Sequence, residues 1–407
     1  MNCLTDCVAN AGCHISPDVS PIRQSRRQPD GRFRWVAIWL MKVGMLTICL
    51  TRAALAAPPA DNVILITLDG LRWQEVFGGA DEEMMNADFG NVKNLPELRE
   101  RFQRDTATDA RQALMPFFWS GITQRGVVFG DPQQRSTAVV TNGLNFSYPG
   151  YSEILCGFPD PRIDSNSKTA NPNVTVLEWI HQQPGWNGRV AAWCSWDVFP
   201  WIINQQRSEI PVNAGWQSLV SGTNGSPELV ELNRLQSEFP HYWDNVRYDY
   251  FTFRAAEISL REQRPRLLYV SLGETDDWAH GGRYDLYLDA AWRADDYIRR
   301  LWETAQSLPQ YRDRTALIIT TDHGRGDNKV DWKSHGKDIA GCEQIWIAVY
   351  GAGVTSTVVN DTRVTQSQVA STVAAALGLN YSAAQPRAGQ PLPVFATTDR
   401  ERSATKQ

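Results

Sequence analysis

The chain has 407 residues, of which 42% are hydrophobic and 21% charged, with a formal net charge of −5. That length suits one large α/β domain, or two smaller ones, with a full core, and the composition is ordinary for a folded soluble protein. The acidic balance argues against nucleic-acid binding, which needs a basic surface.

The first element is a targeting segment rather than part of a fold. Residues 32–60, "RFRWVAIWLMKVGMLTICLTRAALAAPPA", have a basic front, an apolar run and a small-residue end. This pattern predicts a secretory signal cleaved after Ala54-Leu55-Ala56, with an uncleaved membrane anchor as the alternative. Met41 is a second candidate start, which would make the residues before it an over-extended leader; Arg26-Arg27 is a weak twin-arginine feature. The expectation is therefore a removed leader over 1–56, a catalytic domain over 57–390, a flexible tail over 391–407, and a periplasmic or secreted protein. Removing six Arg, one Lys and three Asp leaves 33 basic and 42 acidic side chains, a net of −9. Only Cys156, Cys194 and Cys342 remain, so one disulfide is allowed, at least one Cys is left over, and no CxxC metal site exists. No later run is long enough to span a membrane.

Beyond the leader, "NVILITLD" (62–69), "GRVAAWCSW" (188–196), "RLLYVSLGE" (266–274), "TALIITTD" (315–322) and "IWIAVYGAG" (345–353) are apolar on both faces. They read as buried strands. Helical patterns fall between some of them, most clearly "LYLDAAWRADDYIRRLWETAQ" (286–306). Alternating strands and helices predict an α/β fold with a mainly parallel central sheet and helices on both faces. The carboxyl ends of such strands gather the active-site loops. Segments near 80–132 and 197–250 break the alternation and read as insertions that wall or cap a cleft.

Polar residues cluster at those strand ends. Asp69 closes the first run; Asp276 and His280 follow the third in "DDWAH"; Asp322 and His323 close the fourth; His335 lies in "DWKSHGKD". Charges there are costly unless paired or metal-bound. Each residue alone has an ordinary structural reading, but three Asp and three His together suit zinc, or less strictly manganese or iron. A helical turn would place Asp276 and His280 on one side, with Asp277 a poorer choice and Glu274 a further candidate. In "NFSYPGYSEILCG" (145–157) Ser147 precedes an early-helix Pro149. It can cap the helix or act as a nucleophile, and a helix amino end favours an alkoxide and a bound phosphate alike.

In order and spacing, "LDG", "SYPG", "DDWAH", "TDHG" and "SHG" resemble the alkaline phosphatase superfamily, and most of all its nucleotide pyrophosphatase/phosphodiesterase branch. The resemblance implies two divalent metal ions, usually zinc with manganese possible, about 3.5–4 Å apart. One would take Asp276, His280 and His335. The other would take Asp69, Asp322, His323 and the Ser147 oxygen. It further implies an in-line attack by Ser147 on a small-molecule phosphoric ester, a phosphoserine intermediate and net retention at phosphorus. Ser rather than Thr as nucleophile leaves monoesters and diesters both open, and Tyr151, where sulfatases carry Arg, argues against a sulfatase. Asn142, Asn145 and Asn173 are candidates for a phosphoryl-oxygen donor. Trp193, Trp196, Trp201 and Trp278 are candidates for stacking on substrate. A phosphotransferase or phosphomutase on the same scaffold, and a catalytically silent metal-binding domain, are the alternatives.

Overall fold

All five apolar runs form strands in the computed structural model, which describes residues 58–220, 225–355 and 359–395. The expected leader and signal, and the last residues of the expected tail, lie outside the described residues. In chain order the strands are β1 (Asn62–Leu68), β2 (Val127–Phe129), β3 (Thr137–Val139), β4 (Val190–Cys194), β5 (Val212–Ala214), β6 (Leu267–Leu272), β7 (Thr315–Thr320), β8 (Gln344–Ile345), β9 (Ile347–Gly351) and β10 (Arg363–Thr365). Seven of them form the main sheet, in the order β2-β9-β7-β1-β6-β4-β5. The pairings β7-β1, β1-β6, β6-β4 and β4-β5 are parallel, while β9 runs antiparallel to both β7 and β2. A small second sheet has the order β10-β3-β8. This is the expected α/β architecture with a mostly parallel sheet.

The helices that matter for the site are α1 (Leu95–Phe102), α2 (Ala107–Leu114), α3 (Ser147–Cys156), α4 (Val176–His181), α5 (Asp249–Glu262), α6 (Glu274–His280), α7 (Tyr284–Ser307) and α8 (Val369–Ala376). Successive strand residues point to opposite faces, and β1 shows why its run is apolar throughout. Ile64, Ile66 and Leu68 pack with residues of α1, α2, α5 and α7, whereas Val63 and Leu65 pack with residues of α3, α4 and α8. Every residue of β1 is buried.

The 80–132 segment does not wall a cleft. Its Met84, Leu98, Phe102, Leu114 and Phe118 are buried in the core on the first face, and β2 extends the main sheet at its edge. The 197–250 segment adds β5 to the other edge of the main sheet, buries Leu219, Leu229 and Leu232 in the core, and at its two ends supplies Asp197, Val198, Asn245 and Val246 to the cavity described below. Among the described residues no helix is long and apolar enough to cross a membrane. Cys156, Cys194 and Cys342 are all buried and free, so the disulfide that an oxidising compartment would allow does not form.

Candidate active site

Parallel register brings the ends of β1, β6 and β7 together. Thr67 of β1 pairs with Ser271 of β6 on one side and Thr320 of β7 on the other. Asp69 therefore emerges beside Asp322 and beside the start of α6. The Gly70 N–H donates to Asp322 Oδ1 at 3.1 Å, and the Thr275 hydroxyl donates to the Asp69 carbonyl at 2.5 Å. Gly70 has φ +56, and a Cβ there would lie 2.8 Å from Arg325 Nη1 and 2.9 Å from Asp276 Oδ1. Glycine at this position allows the close approach of the three loops.

The "DDWAH" turn is helical, and α6 places Asp276 and His280 on one face, with His280 Nε2 3.3 Å from Asp276 Oδ2. His335 Nε2 lies 2.9 Å from His280 Nε2 and 3.6 Å from Asp276 Oδ1. On the other side, His323 Nε2 lies 3.4 Å from Asp69 Oδ1, 3.4 Å from Asp322 Oδ2 and 3.9 Å from Asp276 Oδ1. The structure thus brings together Asp69, Asp276, His280, Asp322, His323 and His335. Asp276 belongs to both groups of facing ligand atoms and sits between them.

Two of the imidazoles have their tautomers set by backbone carbonyls. His323 Nδ1 is 2.9 Å from the Gly324 carbonyl and His335 Nδ1 is 3.2 Å from the Asn145 carbonyl. A carbonyl only accepts, so each Nδ1 carries a proton and each Nε2 faces into the site. Burial, with His323 beside it, pushes the His335 imidazole down to about 2, which keeps it neutral.

The carboxylates form an unbalanced set. Burial, reinforced by Asp276, holds Asp69 well above the usual carboxylate range; burial and Asp69 do the same to Asp322. Burial also opposes ionisation of Asp276, but the hydrogen-bonded Arg325 guanidinium, with His280 and His335, holds it well below that range. Asp69 Oδ1 and Asp322 Oδ2 are buried and without hydrogen-bond partners. Orphaned carboxylate oxygens and imidazole nitrogens aimed into one small space form a donor set that fits divalent cations of the zinc type.

Ser147 is not a cap. The cap of α3 is Phe146, in extended conformation and without a side-chain cap bond; Ser147 is the first helical residue. Its Oγ lies 3.4 Å from His323 Nε2, at the edge of the same ligand cluster. Glu274 is turned away: it accepts from the Asp249 N–H at 2.8 Å and from the Trp278 indole at 3.3 Å. Asp277 faces the cavity without joining the cluster, and burial, then Asp276, pushes its carboxyl up to about 9.

Asn142 and Asn173 are not placed as phosphoryl donors. Asn142 is spent on Glu153 and on its own turn, and Asn173 on Asp160 and Arg162. Asn145 is a left-handed turn residue at φ 55. The cavity beside Ser147, about 410 Å³, is instead lined by Asn166, whose Oδ1 accepts the Tyr148 N–H of α3 at 2.9 Å. Trp196 lines that cavity, whereas Trp193 is buried in the core and Trp278 packs on the opposite side of α6, against Tyr242 and Trp243. Trp201 lies under the Lys168 ammonium at 5.4 Å. Tyr151, one turn along α3 from Ser147, donates to Asp69 Oδ2 at 2.9 Å.

A phosphoryl-transfer site at the carboxyl edge of an α/β sheet is the class that this fold and cluster define. The chain matches the family described as type I phosphodiesterase / nucleotide pyrophosphatase over residues 90–383. It belongs to that family and is a phosphoric-ester hydrolase. The match begins after β1 and Asp69. The structure is similar to the wild-type alkaline phosphatase PafA, with TM-score 0.54, 10% identity and coverage of 84% of this chain and 100% of that one. It is also similar to the zinc complex of the periplasmic domain of EcEptC from Escherichia coli (TM-score 0.49, 11% identity, 84% and 89% covered). A further similar structure is an alkaline phosphatase superfamily protein from Vibrio parahaemolyticus (0.49, 12%, 83% and 71%). At these identities the likeness speaks for the fold alone. No curated protein matches the sequence significantly.

Proposed function

We propose that the protein is an exported hydrolase of phosphoric esters that works through a phosphoserine on a site for two divalent ions, zinc or, as second choice, manganese. The observation that carries this is the Ser147 hydroxyl at the first residue of α3, 3.4 Å from the imidazole that also faces Asp69 and Asp322. Asp276, His280 and His335 would hold one ion; Asp69, Asp322, His323 and the Ser147 oxygen would hold the other. Such ions, when bound, neutralise phosphoryl charge and acidify hydroxyl groups.

The rest falls to the chain itself. Ser147 Oγ, having lost its proton, attacks phosphorus in line with the departing ester oxygen, whose bond to phosphorus breaks. The dipole of the α3 amino end favours the negative charge that gathers there. Asn166, with its Oδ1 committed to the Tyr148 N–H, has its amide nitrogen left to donate to a phosphoryl oxygen. Water then cleaves the Ser147–phosphate bond, and the second inversion gives net retention. The signal-like sequence before residue 57 supports a periplasmic or secreted setting.

Purified protein is expected to hydrolyse p-nitrophenyl phosphate or its bis-ester, to lose turnover with a chelator and to regain it with zinc or manganese. Ser147→Ala should abolish turnover while metal content stays near wild type. A fully active Ser147→Ala variant would remove the nucleophile from this scheme.

A further inference from the structure

The mechanism above leaves one charged wall of the reaction cavity unused. Lys168 is the single Lys or Arg among the residues that line it, and it lies two residues from Asn166 on the same loop after α3. Its ammonium is held in place. Asp197 Oδ2 accepts from Lys168 Nζ at 2.7 Å, and the Trp201 ring lies 5.4 Å from that nitrogen.

Asp197 is itself fixed, just past the end of β4. Its N–H donates to the Asn245 carbonyl at 2.9 Å. Gly215, at φ +56, approaches so closely that a Cβ there would lie 2.6 Å from the Asp197 Cβ. The lysine side chain stays 47% exposed, and among the described residues Asp197 is the one hydrogen-bond partner of its three donors.

An exposed ion pair contributes little to folding, so stability gives slight reason for this arrangement. An oriented ammonium in the wall of the cavity that Ser147 also lines has a use in recognition, because charge-assisted hydrogen bonds to phosphate oxygens are short and strong. We propose that Lys168, positioned by Asp197, binds the additional anionic oxygen of a phosphomonoester and gives the site a preference for monoesters over diesters. A monoester is close to dianionic at about pH 8, with a second pKa of about 6, whereas a diester carries one charge. The lysine therefore has a charge to meet in the first substrate that the second lacks.

This inference rests on the nucleophile reading above, and the experiment separates the two. The ratio of kcat/KM for p-nitrophenyl phosphate to that for bis-p-nitrophenyl phosphate is measured for wild type, Lys168→Ala, Lys168→Arg, Asp197→Asn and Ser147→Ala. Lys168→Ala should lower the ratio about tenfold or more by acting on the monoester alone, and Lys168→Arg should restore much of it. Asp197→Asn should lower the ratio less, mainly through KM for the monoester. An unchanged ratio in Lys168→Ala, with Ser147→Ala inactive on both substrates, overturns the lysine assignment and leaves the nucleophile standing. Activity in Ser147→Ala overturns the underlying reading whatever Lys168 does.

Discussion

Asp249 and Glu274 cap each other's helices. The Asp249 carboxylate accepts the Gly273 N–H at 2.8 Å and the Glu274 N–H at 3.0 Å, at the amino end of α6, while Glu274 Oε1 accepts the Asp249 N–H at the amino end of α5. Neither helix has a side-chain cap from its own N-cap residue, Gly273 or Tyr248. The exchange ties the start of α6, the helix that carries Asp276 and His280, to the start of α5, a helix buried at ten of its fourteen positions.

Removing this clamp should reach the active site without touching it. Asp249→Ala leaves two donors unpaired, the backbone N–H groups of Gly273 and Glu274, and takes one acceptor from the Ser195 hydroxyl, which keeps Thr252 Oγ1 at 2.8 Å. The expected cost is about 3 kcal/mol of stability, read as a lower Tm, together with a clear fall in kcat as α6 loses its fixed direction. Asp249→Asn, which keeps one acceptor oxygen, should recover part of both. A variant that loses Tm but keeps full kcat would mean that α6 is held by its packing alone.

Much of the ligand cluster was legible because its spacing is local or follows a strand. Asp276 and His280 are one helical turn apart, and Asp69, Asp322 and His323 each end an apolar run that has to be a buried strand. The partners that tune those residues were not legible, because the fold brings them in from far along the chain. Tyr151 reaches Asp69 across 82 positions and Arg325 reaches Asp276 across 49. Asn166 and Lys168 lie in a loop with no periodic pattern. Glu274 misled for a related reason: it is two positions from Asp276, and on a helix that offset turns it to the other side. The strands of two or three residues, β2, β3, β5, β8 and β10, are too short to announce themselves by alternation.

Tyr151 offers a test of how Asp69 is held. Its hydroxyl donates to Asp69 Oδ2 at 2.9 Å and lies 3.3 Å from the Ser271 hydroxyl. Partners of this kind orient metal-ligating carboxylates, and losing one typically weakens metal affinity about 10–100-fold. Tyr151→Phe keeps the ring, which packs edge-on to Phe199 at 4.7 Å, and removes only the hydroxyl. Zinc titration of the metal-depleted variant, followed by calorimetry, should show that weakening with little change in Tm. Equal affinity for wild type and variant would show that Asp69 needs no help in holding its place.

Asp295 predicts a pH dependence that lies away from the active site. Buried on α7, it accepts the Phe117 N–H at 2.7 Å and the Phe118 N–H at 2.8 Å, tying the 80–132 segment to the core. Burial pushes its carboxyl up to about 7 from the ordinary 3.8, against the pull of those two N–H groups. Because the folded value is the higher one, the folded state holds the proton more tightly. The stabilisation is complete below the unfolded value near 4 and is lost as pH rises to about 7. Asp295→Asn cannot titrate. The Tm difference between wild type and Asp295→Asn should therefore be largest at about pH 4 and shrink toward pH 8, while the other titrating groups cancel in the comparison. A difference that stays constant, or widens with rising pH, would place the ionised carboxylate rather than the neutral acid against the two amides.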